Sequence, residues 1–215
     1  MFYLDNLIPI PLYDQVEFSQ IWGTNYTFSS KKKYFVEAAS GKGKTTLQHI
    51  LYGLRKDYSG KVQISINEAK SNLTDLTFLQ WAQIRQSELA VVFQDLRLFV
   101  RLTANENLLL KNNLTNYKSK KEIFEMAKAL GVDSLMEKKC GEMSYGQRQR
   151  IAIIRSLCQP FKFLIMDEPF SHLDTLNVKK CCNLINEECK KQNAGFLIAS
   201  LEEKYFFDYD YEVKI

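Results

Sequence analysis

Residues Ala38 to Thr46 read A-A-S-G-K-G-K-T-T, and no other stretch limits the architecture of this chain as strongly. Ahead of it, Tyr34-Phe35-Val36-Glu37-Ala38 predicts a short strand; behind it, Thr45 to Arg55 predicts a helix. A strand, a small-residue loop and a helix opening on Lys-Thr together build a cradle for a polyphosphate. Gly41 and Gly43 lack Cβ atoms, so the backbone can curl and aim its N–H groups inward at phosphate oxygens. The start of the helix adds unpaired N–H donors and the positive end of its dipole. In the pattern G-x-x-x-x-G-K-[ST], Lys44 supplies a charge for the β/γ phosphates and the Thr45 hydroxyl a ligand for Mg²⁺. Ala38, Ala39, Ser40, Gly41, Lys42, Gly43, Lys44, Thr45 and Thr46 are therefore candidate nucleotide-binding residues. Ala38 stands where the pattern has its first glycine. A positive φ there would cost an alanine on the order of 1 kcal/mol.

A second constellation is Phe163-Leu164-Ile165-Met166-Asp167-Glu168-Pro169. Four apolar residues in a row predict a strand buried on both faces, as in a parallel sheet. Its C-terminal tip lies where ligands bind in open α/β sheets. Asp167 is the candidate to hold Mg²⁺, through water. Glu168, pointing elsewhere, is the candidate to polarise an attacking water.

Between these two lies Met143-Ser144-Tyr145-Gly146-Gln147-Arg148-Gln149-Arg150, followed by Ile151-Ala152-Ile153-Ile154-Arg155. Here the chain resembles the ATP-binding cassette (ABC) ATPases, whose signature is L-S-G-G-Q-x-Q-R ahead of an apolar helix. Val91-Val92-Phe93-Gln94-Asp95 is similar to the family's Q-loop, with Gln94 as its glutamine, and Ser171-His172-Leu173-Asp174 to its D-loop. The resemblance covers nearly the whole chain. It implies an α/β fold of the P-loop NTPase type, with a mixed RecA-like sheet core, an N-terminal antiparallel β portion and an inserted helical subdomain. On that template residues 1–215 form a single ATPase domain. Within it, 1–94 and 159–215 are the ATP-binding core and 95–158 the helical subdomain with the signature.

The resemblance also implies roles. Glu168, Lys44 and Gln94 are catalytic; Thr45, Gln94 and Asp167 hold the metal. Two subunits sandwich two ATP molecules head to tail, each γ-phosphate facing Ser144, Gly146 and Gln147 of the other subunit, with Asp174 close by. Ser144 suits this physically, because a hydroxyl at a helix start and the backbone N–H groups after it form an anion site. Tyr145 replaces the first glycine of the pair, and its bulk is expected either to narrow the approach to the nucleotide or to stack on the opposing subunit. The adenine stacks on an aromatic residue upstream of the phosphate loop, with Tyr13 the first candidate and Phe18 the second. Val92-Phe93-Gln94-Asp95-Leu96-Arg97-Leu98-Phe99, continued by Leu102-Thr103-Ala104-Asn105-Glu106-Asn107, is similar to the compact ATPase subunits of lipoprotein-release, macrolide-export and cell-division systems. That implies a membrane permease partner contacted near Gln94–Asn107.

One position departs from the template. The family carries a histidine just after the last core strand, contacting the γ-phosphate and supporting the catalytic glutamate. Gly195-Phe196-Leu197-Ile198-Ala199-Ser200-Leu201-Glu202 puts Leu201 there, and Ser200 and Glu202 read as poor substitutes. The only histidines are His49, in the helix after the phosphate loop, and His172, in the D-loop. Two functional readings follow: an ATPase that powers or regulates a permease by ATP-dependent dimer closure, slow for want of that histidine, or an ATP-dependent binding and signalling module with little turnover.

Composition sets the remaining bounds. A chain of 215 residues suits one domain with a proper core. Although 46% of residues are hydrophobic, no apolar run approaches the roughly 20 residues that cross a bilayer. Met1-Phe2-Tyr3-Leu4-Asp5 lacks the basic start of a signal peptide. The expected location is cytoplasmic, peripheral on the cytoplasmic face of the membrane through the permease. A net charge of +4, from 29 basic and 25 acidic residues, is too mild and dispersed to argue for nucleic acid. Lys31-Lys32-Lys33, the one sharp basic run, is expected to solvate a turn. The five cysteines include no C-x-x-C pair, which argues against zinc or a disulfide framework. Val178, Cys181, Cys182, Ile185 and Cys189 fall at helical spacing and predict a buried stripe, in keeping with a reducing compartment. Strands are also predicted at Ile21 to Phe28 and, after a turn at Ser59-Gly60, at Val62 to Ile66. Ser119-Lys120-Lys121-Glu122 predicts a capping box, opening a helix that Gly131 closes.

Overall fold

The computed structural model describes residues 1–15, 19–67, 69–201 and 204–215. In chain order its elements are β1 (Phe2–Pro9), β2 (Asn25–Phe28), β3 (Lys33–Glu37), α1 (Lys44–Leu51), β4 (Tyr58–Ile66), β5 (Ala69–Asn72), α2 (Phe78–Ser87), β6 (Leu89–Val92), α3 (Ala104–Asn112), α4 (Lys120–Ala129), α5 (Tyr145–Leu157), β7 (Phe163–Asp167), α6 (Thr175–Gln192), β8 (Gly195–Ser200) and β9 (Tyr211–Lys214). The expected mixture of strand directions divides between two sheets. One is wholly parallel, ordered β6-β7-β8-β3-β9; the other is antiparallel, ordered β2-β1-β4-β5. Every residue of β7 and β8 is buried, the pattern of strands covered on both faces.

Side chains alternate across the parallel sheet and feed two cores. Ile165, Leu197 and Ala199 pack with α1 and the antiparallel sheet, through Leu47, Ile50, Phe2 and Val62. Leu164, Met166, Phe196 and Ile198 pack on the other face with α3 to α6, through Leu108, Met126, Ile154 and Ile185. The helices after Gln94 therefore share their core with the sheet. A buried ion pair adds to this, Lys118 Nζ lying 2.7 Å from Glu188 Oε2 on α6.

Local sequence accounts for most boundaries. Ser119 and Glu122 form the expected capping box at the start of α4, and Gly131 follows its end with φ +62°. On α6, Val178, Cys181, Cys182, Ile185 and Cys189 all face the core. All five cysteines are free and buried, and burial pushes the thiols of Cys181, Cys182 and Cys189 up to about 12, so they behave as small apolar side chains. The helix after the phosphate loop is shorter than expected, because Gly53 takes φ +73° and Leu54 N donates back to His49 O at 2.7 Å. Ile21 and Trp22, expected to begin a strand, lie in a turn where Ser19 Oγ accepts from both their N–H groups, at 3.1 and 2.8 Å. The lysine run does more than solvate a turn: Lys32 Nζ and Lys33 N each donate to the Asp210 carboxylate, at 2.8 and 2.9 Å.

Ser59-Gly60 is not a turn. Both residues lie inside β4, at a bulge where the pairing with β1 slips between Asp5 and Ile8. Gly60 has φ +81°, and a Cβ there would meet the Asp5 carbonyl oxygen at 2.5 Å and the Asn6 carbonyl closer still. Gly60→Ala is expected to destabilise the protein by more than about 1 kcal/mol, read as a lower urea midpoint with unchanged slope.

Candidate active site

The phosphate loop connects β3 to α1. Gly41 and Gly43 have φ +79° and +104°, so the left-handed turns fall on the two glycines. Ala38 is absent from the residues with positive φ and is 2% exposed, its N–H donating to Ser200 O at 3.1 Å. The strain expected of an alanine at this position does not arise. Leu12 and Trp22 back the loop: a Cβ on Gly43 would come within 2.6 Å of Leu12 Cδ1 and 3.0 Å of Trp22 Cζ2. Trp22 Nε1 donates to Lys42 O at 3.2 Å. Lys44 folds over the loop, its Nζ donating to Ala38 O at 2.8 Å and lying 3.4 Å from Ala39 O.

Opposite the loop stand the two carboxylates at the tip of β7. Asp167 is fully buried. Its Oδ2 accepts from Thr45 Oγ1 at 2.5 Å, while its Oδ1 has no partner. Burial pushes the Asp167 carboxyl above the usual carboxylate range and the Glu168 charge adds to this, against the Thr45 hydrogen bond and Lys44. Gln94 Oε1 lies 3.5 Å from Thr45 Oγ1. A hydroxyl, a carboxylate with a free oxygen and an amide oxygen thus converge, a set of hard donors that fits Mg²⁺.

Glu168 has φ +45°, a left-handed backbone that costs a non-glycine residue about 1–3 kcal/mol and recurs at functional sites. Its N–H donates to Ala199 O at 3.0 Å, and its carbonyl accepts from Gln149 Nε2 at 3.3 Å. Its Oε2 accepts from Ser200 Oγ at 3.1 Å. Its Oε1 has no hydrogen bond and lies 3.5 Å from Lys44 Nζ, an ion pair by distance alone. Ser40, Gly41, Gly43, Lys44, Thr45, Thr46, Gln94 and Glu168 line one cleft of 410 Å³, with Ser171, His172 and Leu201 on its rim. That volume suits a small-molecule ligand.

The ABC transporter family model matches residues 22–171, which contain the loop, both carboxylates and the Q-loop glutamine. The chain belongs to the ABC transporter family. Like its relatives, it is an ATP-binding, ATP-hydrolysing subunit of transporter complexes. The lipoprotein-releasing system ATP-binding protein LolD of Buchnera aphidicola is 33% identical over 177 residues, 80% of this chain and 74% of that one. The thiamine import ATP-binding protein ThiQ of Aliivibrio fischeri is 35% identical over 164 residues, 75% of this chain and 66% of that one. Among solved structures, a dimeric bacterial ABC transporter cassette superposes with a TM-score of 0.75 at 25% identity, covering 93% of this chain and 88% of that one.

The other ABC positions lie outside the cleft. Ser144 is the N-cap of α5, its Oγ accepting from Gln147 N at 3.3 Å while Gln147 Oε1 accepts from Ser144 N at 3.0 Å. Asp174 is the N-cap of α6, and the hydrogen bond from Asn177 N at 2.8 Å, seconded by the Asn177 side chain, holds its carboxyl below the usual range. Gly146 packs against the D-loop, where a Cβ would meet His172 O at 2.8 Å. Within this chain the Tyr145 hydroxyl donates to Gln94 O at 2.7 Å, and its ring lies 4.2 Å from that of His172. Tyr13 is 65% exposed and does not line the cleft, though its neighbour Leu12 touches Gly43. Phe18 and Glu202 lie outside the described residues.

Two groups escaped the sequence reading. Ser200 is a direct partner of Glu168 rather than a poor substitute, and Gln149 bridges Glu168 and the D-loop, its Oε1 accepting from His172 N at 3.3 Å. Leu201 is 47% exposed and borders the cleft, where an apolar side chain offers a γ-phosphate nothing. Leu201→His is expected to raise turnover severalfold, up to about tenfold, with little change in ATP affinity. A steady-state ATPase assay beside calorimetry checks it.

Proposed function

We propose that ATP occupies the 410 Å³ cleft, its phosphates wrapped by residues 38–46 and charge-paired with Lys44. Thr45, Asp167 and Gln94 would hold Mg²⁺, which would neutralise charge on the phosphates. Glu168 accepts a proton from the attacking water as that water's oxygen bonds to the γ-phosphorus and the bond to the ADP oxygen breaks, leaving ADP and phosphate. The observation that carries this reading is the convergence of Lys44, Thr45, Gln94, Asp167 and Glu168 at the C-terminal edge of the parallel sheet. Residues 1–94 and 159–215 serve as the ATP-binding core and 95–158 as the helical part. Tyr13 provides the adenine stack, a contact worth about 1–3 kcal/mol.

Ser144, Gly146, Gln147 and Asp174 meet a second subunit's nucleotide in a head-to-tail homodimer. Two observations support this: these positions lie outside their own cleft, and a similar cassette was solved as a dimer. Light scattering tests it: Glu168→Gln with MgATP should double the 25.1 kDa mass, and a persistent monomer at saturating ATP would contradict the sandwich.

The permease docks beside the Q-loop. A groove of 360 Å³ there is lined by Phe93, Phe99, Leu110, Lys111, Leu114 and Arg155. Phe99, Leu110 and Leu114 are 60%, 48% and 58% exposed, an apolar strip suited to an amphipathic helix. Burial lowers the Lys111 ammonium to about 8, with Arg155 and Arg85 adding to the shift. Arg155 also donates to Leu96 O and Arg97 O, both at 2.7 Å, fixing two left-handed residues just after Gln94. Among the described residues no helix is long and apolar enough to cross a membrane. The proposed attachment is through the permease, on the cytoplasmic face. Leu201 is the observation that favours a second reading, a binding and signalling module with little turnover.

A further inference from the structure

Ser200 ends β8 with 2% of its surface exposed, and its hydroxyl makes two contacts: 3.1 Å to Glu168 Oε2 and 3.0 Å to Tyr205 Oη. Ser200 gives its single hydroxyl proton to Glu168 Oε2. Tyr205 must then be the donor in the other contact. The three side chains form a one-way chain, Tyr205 to Ser200 to Glu168, in which each bond polarises the next. Tyr205 is itself anchored, its ring edge-on to buried Phe170 at 4.7 Å and 84°. Glu168 is thus fastened to β8 twice, by its N–H to Ala199 O and by Oε2 to Ser200. Its remaining oxygen, Oε1, is buried without a hydrogen bond, 3.5 Å from Lys44 Nζ, and opens to the cleft once Lys44 turns to phosphate. The Ser200 carbonyl accepts from Ala38 N at 3.1 Å, so the residue that orients the carboxylate also abuts the phosphate loop.

We propose that Ser200, oriented by Tyr205, is a positioning residue that holds one carboxylate oxygen of Glu168 so that the other faces the reacting water. This rests on the reading of Glu168 as the group that activates that water. A misplacement of about 1 Å at such a group costs on the order of a hundredfold in rate. Neither Ser200 nor Tyr205 lines the cleft, so the effect belongs in kcat.

The test measures phosphate release, MgATP affinity by calorimetry and the thermal midpoint for S200A, S200T, Y205F, S200A/Y205F and E168Q. S200A should lower kcat about tenfold or more, with KM and MgATP affinity within about twofold of the parent. S200T should restore most of the loss, because its hydroxyl can make the same bond. Y205F should lower kcat on its own yet add nothing to S200A. Parental turnover in S200A, or a loss that S200T does not restore, overturns the proposal; additive losses overturn the role of Tyr205. If S200A fails to fold, Y205F and S200T carry the test, and parental kcat in Y205F overturns the chain. An E168Q variant that keeps full turnover sinks the reading of Glu168 and this proposal together, whereas inactive E168Q beside fully active S200A sinks this proposal alone.

Discussion

Glu168→Gln is expected to cut phosphate release by about 10²–10⁴, the usual contribution of a positioned acid–base group. The amide keeps the shape of the side chain and can still accept from Ser200, so the change is confined to the loss of a base. MgATP affinity should stay within about twofold of the parent, because the lost interaction matters in the transition state and little in the bound ground state. The left-handed backbone at Glu168 is set by its bonds to Ala199 and Gln149, neither of which uses the carboxylate. The fold should therefore survive, and an unchanged thermal midpoint would confirm that the loss is chemical. Turnover equal to the parent would place the base elsewhere.

Lys44→Ala should act on the other half of the problem. The Lys44 ammonium lies over the loop on Ala38 O and stands 3.5 Å from Glu168 Oε1, with only 11% of its side chain exposed. Phosphate oxygens would replace the Ala38 carbonyl as its partner. Charge-assisted hydrogen bonds are worth roughly 1.5–3 kcal/mol each, so losing one weakens MgATP binding by about 10- to 150-fold. Calorimetry reads this directly. Unchanged affinity would mean that the nucleotide does not sit against residues 38–46.

The parts of this site that the sequence makes legible are those whose chemistry demands neighbours in the chain. Gly41 and Gly43 must be glycines because the loop turns left-handed there, and Asp167 must end an apolar strand to reach the loop. Contacts between distant segments leave no such trace. Ser200, closing a run of apolar residues, reads as an ordinary strand exit, and only the packing of β8 beside β7 brings its hydroxyl to Glu168. Tyr145 reads as a misfit in a glycine position, and only the folded chain shows its hydroxyl on the Gln94 carbonyl. Gly60 misled for a related reason. The same left-handed φ serves a hairpin turn or a strand bulge, and the pairing of β4 with β1 decides between them. The strand β1 is itself obscured, because its buried positions Phe2, Leu4, Leu7 and Pro9 skip a beat at the bulge and break the period of two. Helix α2 hides as well, since it opens on exposed Phe78 and Leu79 and buries Trp81 and Ile84.

The central claim is that this cleft turns ATP over with Glu168 as its base, and phosphate release from MgATP by the purified protein tests it most directly. Lys44, Thr45, Gln94, Asp167 and Glu168 converge at the cleft, and Ser200 holds one oxygen of Glu168. The expected result is steady release whose rate per subunit rises with protein concentration as dimers form, and which Glu168→Gln abolishes. Tight MgATP binding with no release above that of Glu168→Gln, at any protein concentration, would contradict the account.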